Sequence, residues 1–386
     1  MYNKERKPNI SVLGMTMGSG GAEKVIGLFL PKLMSDYNVT LVLFYDIFHF
    51  EIPADLPAEI LIKGKRLTTF QKIFLFPIAF FRYLNFVKRN KIEVSVSFLT
   101  RPNFVNGLLK VFMKDKIKVI MSERNYPSIE YRSSKARYHL YKFLIPILYS
   151  KADHLFSNSE WINKDLKENF GVFAPFKVIY NPILLPEVSG KALSGDHPVR
   201  FISVGRVIAI KNQELIIDAF SSIKEAYQMR FLGAGNLIDY LNNKIEALGK
   251  TEHIEFLGSV KNVNDYLSES DCFILSSNSE GFPNAIIEAM AIGLPVISTN
   301  CLSGPLEILN NNESVNINYG DFYIAKYGIL INVGDVAGLR KAINYAISNR
   351  DFLIEYGQKS LERAAAYSIN VIYTQLNGLI DDTLIR

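Results

Sequence analysis

Glu280 and Glu288 stand eight residues apart in the stretch SNSEGFPNAIIEAMAIGLPVIST, Ser277 to Thr299. The pattern reads as loop, helix, loop and strand. Ala285, Ile286, Ile287, Ala289, Met290, Ala291 and Ile292 make the helix apolar on nearly every side, and Glu288 interrupts it. A carboxylate buried without donors costs several kcal/mol. Glu288 therefore requires either protein donors or the vicinal hydroxyls of a polyhydroxylated ligand. Glu280 sits just before the helix, whose first position reads as Pro283. Gly281 lets the backbone come close to a ligand, and the amides of Phe282 and Asn284 are unpaired helix N-terminal donors. Such a site reads hydroxyls and tolerates negative charge; the plainer role for Glu280 is an N-terminal cap.

Three further segments follow strand-like runs and open helices. In SVGRVIAIKNQ, Arg206 and Lys211 lie on a tight loop ahead of a helix start. The arrangement suits a diphosphate, and equally two solvated charges. In TMGSGGAEKV, Gly20 and Gly21 offer backbone amides to a phosphate, although the segment is neither GxGxxG nor a Walker A loop. In CLSGPLEIL, Ser303, Gly304 and Pro305 again start a helix after a strand, a further candidate for amides facing a phosphate, although Pro305 itself has no N–H.

The elements that must carry these loops alternate along the chain. NISVLGM, YNVTLVLFY, IEVSVSFL, IKVIMSE, DHLFSNS and FKVIYNP read as strands in the first half, with helical stretches between them. VRFISVGRV, QMRFLGAG, IEFLGSV, DCFILSS and PVIST repeat the scheme in the second. Short continuous runs of Val, Ile and Phe are typical of parallel strands covered on both faces. The alternation gives an α/β protein with two doubly wound domains. Ligands bind such sheets at the carboxyl ends of the strands, where every motif above lies. ILLPEVSGKALSGDHP, rich in Gly, Pro and Ser and without periodicity, reads as the linker.

Composition narrows the functional class. Of 386 residues, 48% are hydrophobic and 21% charged, an ordinary globular balance. The net charge of +5 divides unevenly: residues 1–190 carry 27 Lys/Arg against 16 Asp/Glu, and residues 191–386 carry 16 against 22. Different partners are implied for the two halves. Cys272 and Cys301 have neither a CxxC partner nor a nearby His, so neither a metal site nor a disulfide framework is indicated. Cys272 in DCFILSS reads as a small core hydrophobe, and a reducing cytoplasm fits. The apolar run after MYNKERKP is too short for a signal peptide. No uninterrupted run of about 18 apolar residues suggests a membrane-spanning helix. No nucleic-acid module is recognisable, and the aromatics cluster with aliphatics rather than with Arg and Gly, so nucleic acid is not expected as a partner.

Together, E-x7-E (Glu280 to Glu288), the GR…K loop (Arg206, Lys211), GGAE (Gly20 to Glu23) and YNPI at the domain junction resemble the retaining glycosyltransferases of family 4. The resemblance covers essentially the whole chain. It implies the GT-B fold, two Rossmann-like doubly wound domains facing across a cleft. The expected domains are residues 1–185 and 196–368, with a C-terminal helix at about 369–386 packing back onto the first. It also implies roles. Arg206 and Lys211 hold the donor diphosphate, and Glu288 takes the ribose hydroxyls of the nucleotide. Glu280 contacts the donor sugar, together with the amides of Gly281, Phe282 and Asn284. Gly20, Gly21 and Gly304 face phosphates, and Val260 sits by the base. The leaving phosphate deprotonates the acceptor on the same face, and no metal or other cofactor is expected because Arg and Lys replace it. One departure is Arg124 in SERNYP, where many members of the family have a His. Arg124 is then expected to face the sugar or a phosphate of the acceptor, with Glu123 orienting it.

The first half must bind the acceptor. FQKIFLFPIAFFRYLNFVKRNK (Phe70 to Lys91) and RSSKARYHLYKFLIPILYSK (Arg132 to Lys151) mix aromatic, aliphatic and basic residues. They suit helices in the interface of an anionic membrane, or ordinary core helices with a basic solvated face. The expected protein is a peripheral glycosyltransferase on the inner face of the cell membrane. It would move a hexose or N-acetylhexosamine from a UDP-sugar to a lipid-linked saccharide. A UDP-N-acetylglucosamine 2-epimerase of the same fold, or a non-catalytic nucleotide-sugar-binding protein, are the alternatives.

Overall fold

A computed structural model describes residues 6–63, 74–132, 134–186 and 197–385. The chain divides into two units, Met1–Pro182 with Ile369–Arg386, and Ile183–Ser368.

Among the described residues the first unit is built on seven parallel strands. They are β1 (Asn9–Gly14), β2 (Asn38–Tyr45), β3 (Ala58–Ile62), β4 (Val94–Phe98), β5 (Lys118–Glu123), β6 (His154–Ser157) and β7 (Phe176–Val178). Their order is β3-β2-β1-β4-β5-β6-β7. The second unit holds β8 (Val199–Val204), β9 (Tyr227–Leu232), β10 (Ile254–Phe256), β11 (Cys272–Leu275), β12 (Val296–Thr299), β13 (Phe322–Ala325) and β14 (Gly328–Ile331). Their order is β10-β9-β8-β11-β12-β14-β13, parallel except for the β13–β14 hairpin. The central strands β4, β6, β11 and β12 are buried along their whole length. This is why β11 and β12 show no polar alternation; in β4 the alternating Ser95 and Ser97 are buried as well.

The order reverses between β1 and β4 in the first sheet and between β8 and β11 in the second. At such a reversal the following loops diverge and leave a crevice at the carboxyl ends of the strands. The loops after β1, β8 and β11 carry three of the four segments singled out from sequence. Strands β3, β13 and β14 go beyond the sequence reading. The hairpin turns on Lys326 and Tyr327, without the Asn-Gly or Asp-Gly signal of a tight turn.

The helix Ile369–Ile385 is tied into the first unit by polar side chains. Tyr37 donates to Asn377 Oδ1 at 2.7 Å and to Asp381 Oδ1 at 2.8 Å. Tyr373 donates to Asp36 Oδ2 at 2.5 Å. His154 Nδ1 lies 2.8 Å from Thr383 Oγ1. The first unit's main segment ends at Pro182, three residues before the expected domain end at residue 185. Ile183 N donates to Tyr367 O at 2.9 Å and pairs with Ser368 in an isolated bridge, which binds it to the second unit. Linker residues 187–196 lie outside the described residues, as do residues 70–73 and 133 of the two apolar, basic segments. No helix among the described residues is long and apolar enough to cross a membrane.

Candidate active site

In the second unit the loops after β8 and β11 are stitched to each other. Ser276 Oγ donates to Lys211 O at 2.9 Å, and Asn278 N donates to Ile210 O at 2.8 Å. Asn212 Nδ2 donates to Asn278 Oδ1 at 3.1 Å. These bonds bring Lys211 to Glu280, 69 residues apart in sequence: Nζ donates to Glu280 Oε1 at 2.6 Å. Ser277 Oγ donates to the same oxygen at 2.5 Å. The pair is enclosed, with side-chain exposure of 22% for Lys211 and 8% for Glu280. The buried Cys301 thiol feels it: burial first, then the Glu280 carboxylate, push its pKa up.

Arg206 is exposed on the same loop after β8. Its carbonyl accepts from Gln213 Nε2 at 3.0 Å, from the first residue of the helix Gln213–Phe220. The loop rests on the one after β9. Val207 N donates to Ala234 O at 3.0 Å, and a Cβ at Gly235 would lie 1.9 Å from Val207 O. Gly235→Ala is therefore expected to push the Arg206 loop away. It should cost about 1–3 kcal/mol of stability, as overpacking does; a lowered urea midpoint with weakened nucleotide binding is the check.

The helix Asn284–Ala291 begins one residue later than the sequence suggests, because Pro283 is its extended N-cap rather than its first helical position. Phe282 is buried, its ring 5.5 Å from that of Tyr367. Glu288 is half-buried, whereas Ile286, Ile287, Ala289, Met290 and Ala291 are buried. The face it occupies is left partly open, so its carboxylate is not sealed in the apolar interior that the pattern implies. Ser303 Oγ donates to Gly281 O, joining the loop after β12 to the loop after β11. Gly304 has φ +95°, and a Cβ there would lie 2.4 Å from Pro283 Cδ. Only glycine meets both conditions. Val260 lies beyond β10, half-buried, next to the loop in which Gly258 O accepts from Gly233 N at 2.8 Å.

The loops and helix of the second unit thus gather Arg206, Lys211, Glu280, Gly281, Phe282, Asn284, Glu288 and Gly304 on segments following β8, β11 and β12. Val260 follows the edge strand β10. The sequence pattern does not single out Ser276, Ser277, Asn278 or Gln213. The signal present is the polar run SSNS directly after the apolar β11.

In the first unit, Gly20 and Gly21 stand at the start of the helix Gly21–Asp36, after β1. The Glu23 carboxylate folds back beside them: Oε2 would be 2.3 Å from a Cβ on Gly20, and Oε1 accepts from Thr16 Oγ1 at 3.3 Å. Arg124 follows β5 and is buried. Its guanidinium donates to Asn181 Oδ1 at 2.5 Å and Ser122 Oγ at 3.4 Å, and lies 5.7 Å from the centre of the Phe98 ring. Nε has no protein partner among the described residues. Burial lowers the Arg124 pKa to about 9, against the opposing pull of Glu123. Glu123 orients Arg124 through the main chain: its Oε1 accepts from Arg124 N at 3.0 Å and Asn125 N at 3.3 Å. Its Oε2 accepts from Tyr149 OH at 2.6 Å.

Two doubly wound units of this strand order are the GT-B fold. Residues 187–367 match the family described as glycosyl transferases group 1. The chain is similar over its length to bacterial transferases. It is 29% identical over 357 residues (91% of this chain, 93% of the relative) to the N-acetylgalactosamine-N,N'-diacetylbacillosaminyl-diphospho-undecaprenol 4-alpha-N-acetylgalactosaminyltransferase of Campylobacter jejuni. It is 23% identical over 376 residues (96% and 98%) to that organism's GalNAc-alpha-(1->4)-GalNAc-alpha-(1->3)-diNAcBac-PP-undecaprenol alpha-1,4-N-acetyl-D-galactosaminyltransferase. The structure of Anabaena HepE in complex with UDP shares the fold, with a TM-score of 0.76 at 16% identity, covering 97% of this chain and 100% of that one.

Proposed function

We propose that the protein transfers a hexose or N-acetylhexosamine from a UDP-sugar to a lipid-linked saccharide in the assembly of bacterial surface polysaccharide or glycan. Anomeric configuration is retained and no metal takes part. The Lys211–Glu280 pair at the switch point of a group 1 domain carries the reading. Arg206 and Lys211 neutralise the diphosphate as it leaves, which is where charge develops. Glu280 accepts from the donor sugar's hydroxyls beside the amides of Gly281, Phe282 and Asn284, and Glu288 accepts from the ribose. Val260 adjoins the base. The amides of Gly304, Gly20 and Gly21 serve phosphate oxygens. Arg124 Nε, without a protein partner among the described residues, donates to an oxygen of the sugar or of the acceptor phosphate. The departing phosphate takes the acceptor proton.

Similarity to two transferases whose names specify undecaprenol-linked substrates supports the lipid-linked acceptor. The first unit supports a peripheral site on the inner face of the cell membrane. Phe81, Phe112 and Phe143 are all more than half exposed, on the helices Phe76–Arg89, Thr100–Met113 and Lys135–Tyr149. Lys88, Arg89, Lys114, Lys135 and Lys142 lie on or beside the same helices. Apolar rings among basic residues fit an anionic lipid surface.

A nucleotide-sugar screen by thermal shift and by release of UDP or GDP tests the activity. Stabilisation by one UDP-sugar, lost in Glu288→Ala, is expected. No response to any nucleotide sugar from folded protein refutes the reading. For the membrane, Phe81→Ser with Phe112→Ser and Phe143→Ser is expected to cut co-sedimentation with phosphatidylglycerol vesicles about fivefold or more. Wild-type protein that stays in the supernatant at low salt refutes the peripheral site.

A further inference from the structure

The Glu280 carboxylate uses its two oxygens unequally. Oε1 accepts both from Lys211 Nζ at 2.6 Å and from Ser277 Oγ at 2.5 Å. Ser277 is fully buried, and its own carbonyl accepts from Thr299 Oγ1 on β12 at 2.6 Å. The hydroxyl therefore issues from a fixed point between the ends of two central strands. Ser276, buried beside it, holds the main chain of Lys211 through the 2.9 Å bond to its carbonyl. Two adjacent serines at the end of β11 thus fix the two members of the ion pair, one through a side chain and one through a backbone.

We propose that Ser277 is a positioning residue for sugar recognition: it anchors Glu280 through Oε1, so that Oε2 is presented to the hydroxyls of the donor sugar. The proposal rests on the glycosyltransferase reading above and extends it to a residue that touches no substrate. The ammonium has three donors and spends one on Oε1, so two stay available to the diphosphate. The carboxylate plane is set by two donors converging on one oxygen, and that setting fixes where the other oxygen points. Without Ser277, Lys211 alone holds the carboxylate, and rotation about the Nζ–Oε1 contact is free.

The sugar and nucleotide parts of the donor respond differently. Calorimetric titration uses UDP and four UDP-sugars as probes: UDP-glucose, UDP-galactose and their N-acetyl forms. In Ser277→Ala the affinity for UDP is expected to stay within about twofold of wild type. The affinity for the wild type's preferred UDP-sugar is expected to fall about 10-fold or more, the scale of a hydrogen bond to a charged group. Ser277→Cys, close in size and a weak donor, is expected to fall between. Ser298→Ala, which removes another fully buried hydroxyl next to the site strand, controls for a lost buried hydrogen bond. A merely structural serine would weaken UDP and UDP-sugar together, which overturns the proposal. Equal UDP-sugar affinity in wild type and Ser277→Ala, with Glu280→Gln impaired, also overturns it while leaving the functional reading intact. Wild-type protein that binds none of the four overturns the functional reading and the proposal with it.

Discussion

Lys211→Ala is expected to lower turnover of the UDP-sugar donor by about 10²–10³-fold, the loss usual when one charged or hydrogen-bonding stabiliser of a developing anion is removed. Two effects combine. The cation proposed to face the leaving diphosphate disappears, and Glu280, with 8% side-chain exposure, keeps only the Ser277 hydroxyl on Oε1. Lys211→Arg is not expected to restore the rate. A planar fork cannot reproduce a single ammonium placed to meet Oε1 and, as proposed, a phosphate. Steady-state donor hydrolysis, with unfolding midpoints to show that the fold is intact, is the measurement. A rate within about threefold of wild type would remove Lys211 from the machinery.

Glu123→Ala should produce the largest loss of stability, about 3–5 kcal/mol. Glu123 is fully buried and accepts from Tyr149 OH and from the amides of Arg124 and Asn125, with Thr100 Oγ1 3.4 Å from Oε2. Alanine leaves those donors enclosed without an acceptor. Glu123→Gln keeps one acceptor oxygen but turns an NH2 toward donors, and should cost about 1–3 kcal/mol. Burial pushes the Glu123 carboxyl above the usual range, and the Tyr149 hydroxyl and the two amides only partly oppose it. The sign of the pH effect follows. The folded chain holds this proton over a window in which the unfolded chain has lost it. The stabilisation is fully present below the ordinary glutamate pKa and is lost as pH rises through the folded value. Urea midpoints across that window should fall with rising pH in the wild type more steeply than in Glu123→Gln. Parallel pH profiles for the two would mean that Glu123 does not titrate in the fold.

Much of the architecture is written locally. Runs such as CFIL and VIST have no polar alternation because both faces of the strands are covered, and that property survives in any neighbourhood. The glycine, proline and carboxylate punctuation after each run marks loop and helix start, so Arg206, Lys211, Glu280 and Glu288 can be picked out from type and spacing. Burial is less local. Glu288 interrupts an apolar helix in sequence, yet it is half-buried, because whether a helix face is sealed depends on what packs over it. Arg124 is expected from sequence to face the sugar or an acceptor phosphate, and its enclosure by Asn181, Ser122 and Phe98, residues that converge only once β4, β5 and the end of the first unit are assembled, is not legible there.

The sequence by itself determined an α/β chain of two repeating halves, the loops that follow its strands, and the cation and carboxylate types from which a nucleotide-sugar site is proposed. The tertiary structure decided which of these residues meet. Lys211 and Glu280 touch because the second sheet reverses its order between β8 and β11, placing the carboxyl ends of two strands side by side though their loops lie 69 residues apart. Ser276 and Ser277 gain their partners at the same junction. A periodic pattern reports only which way a side chain faces within its own element. Contacts between loops are set by strand order, which no local spacing encodes.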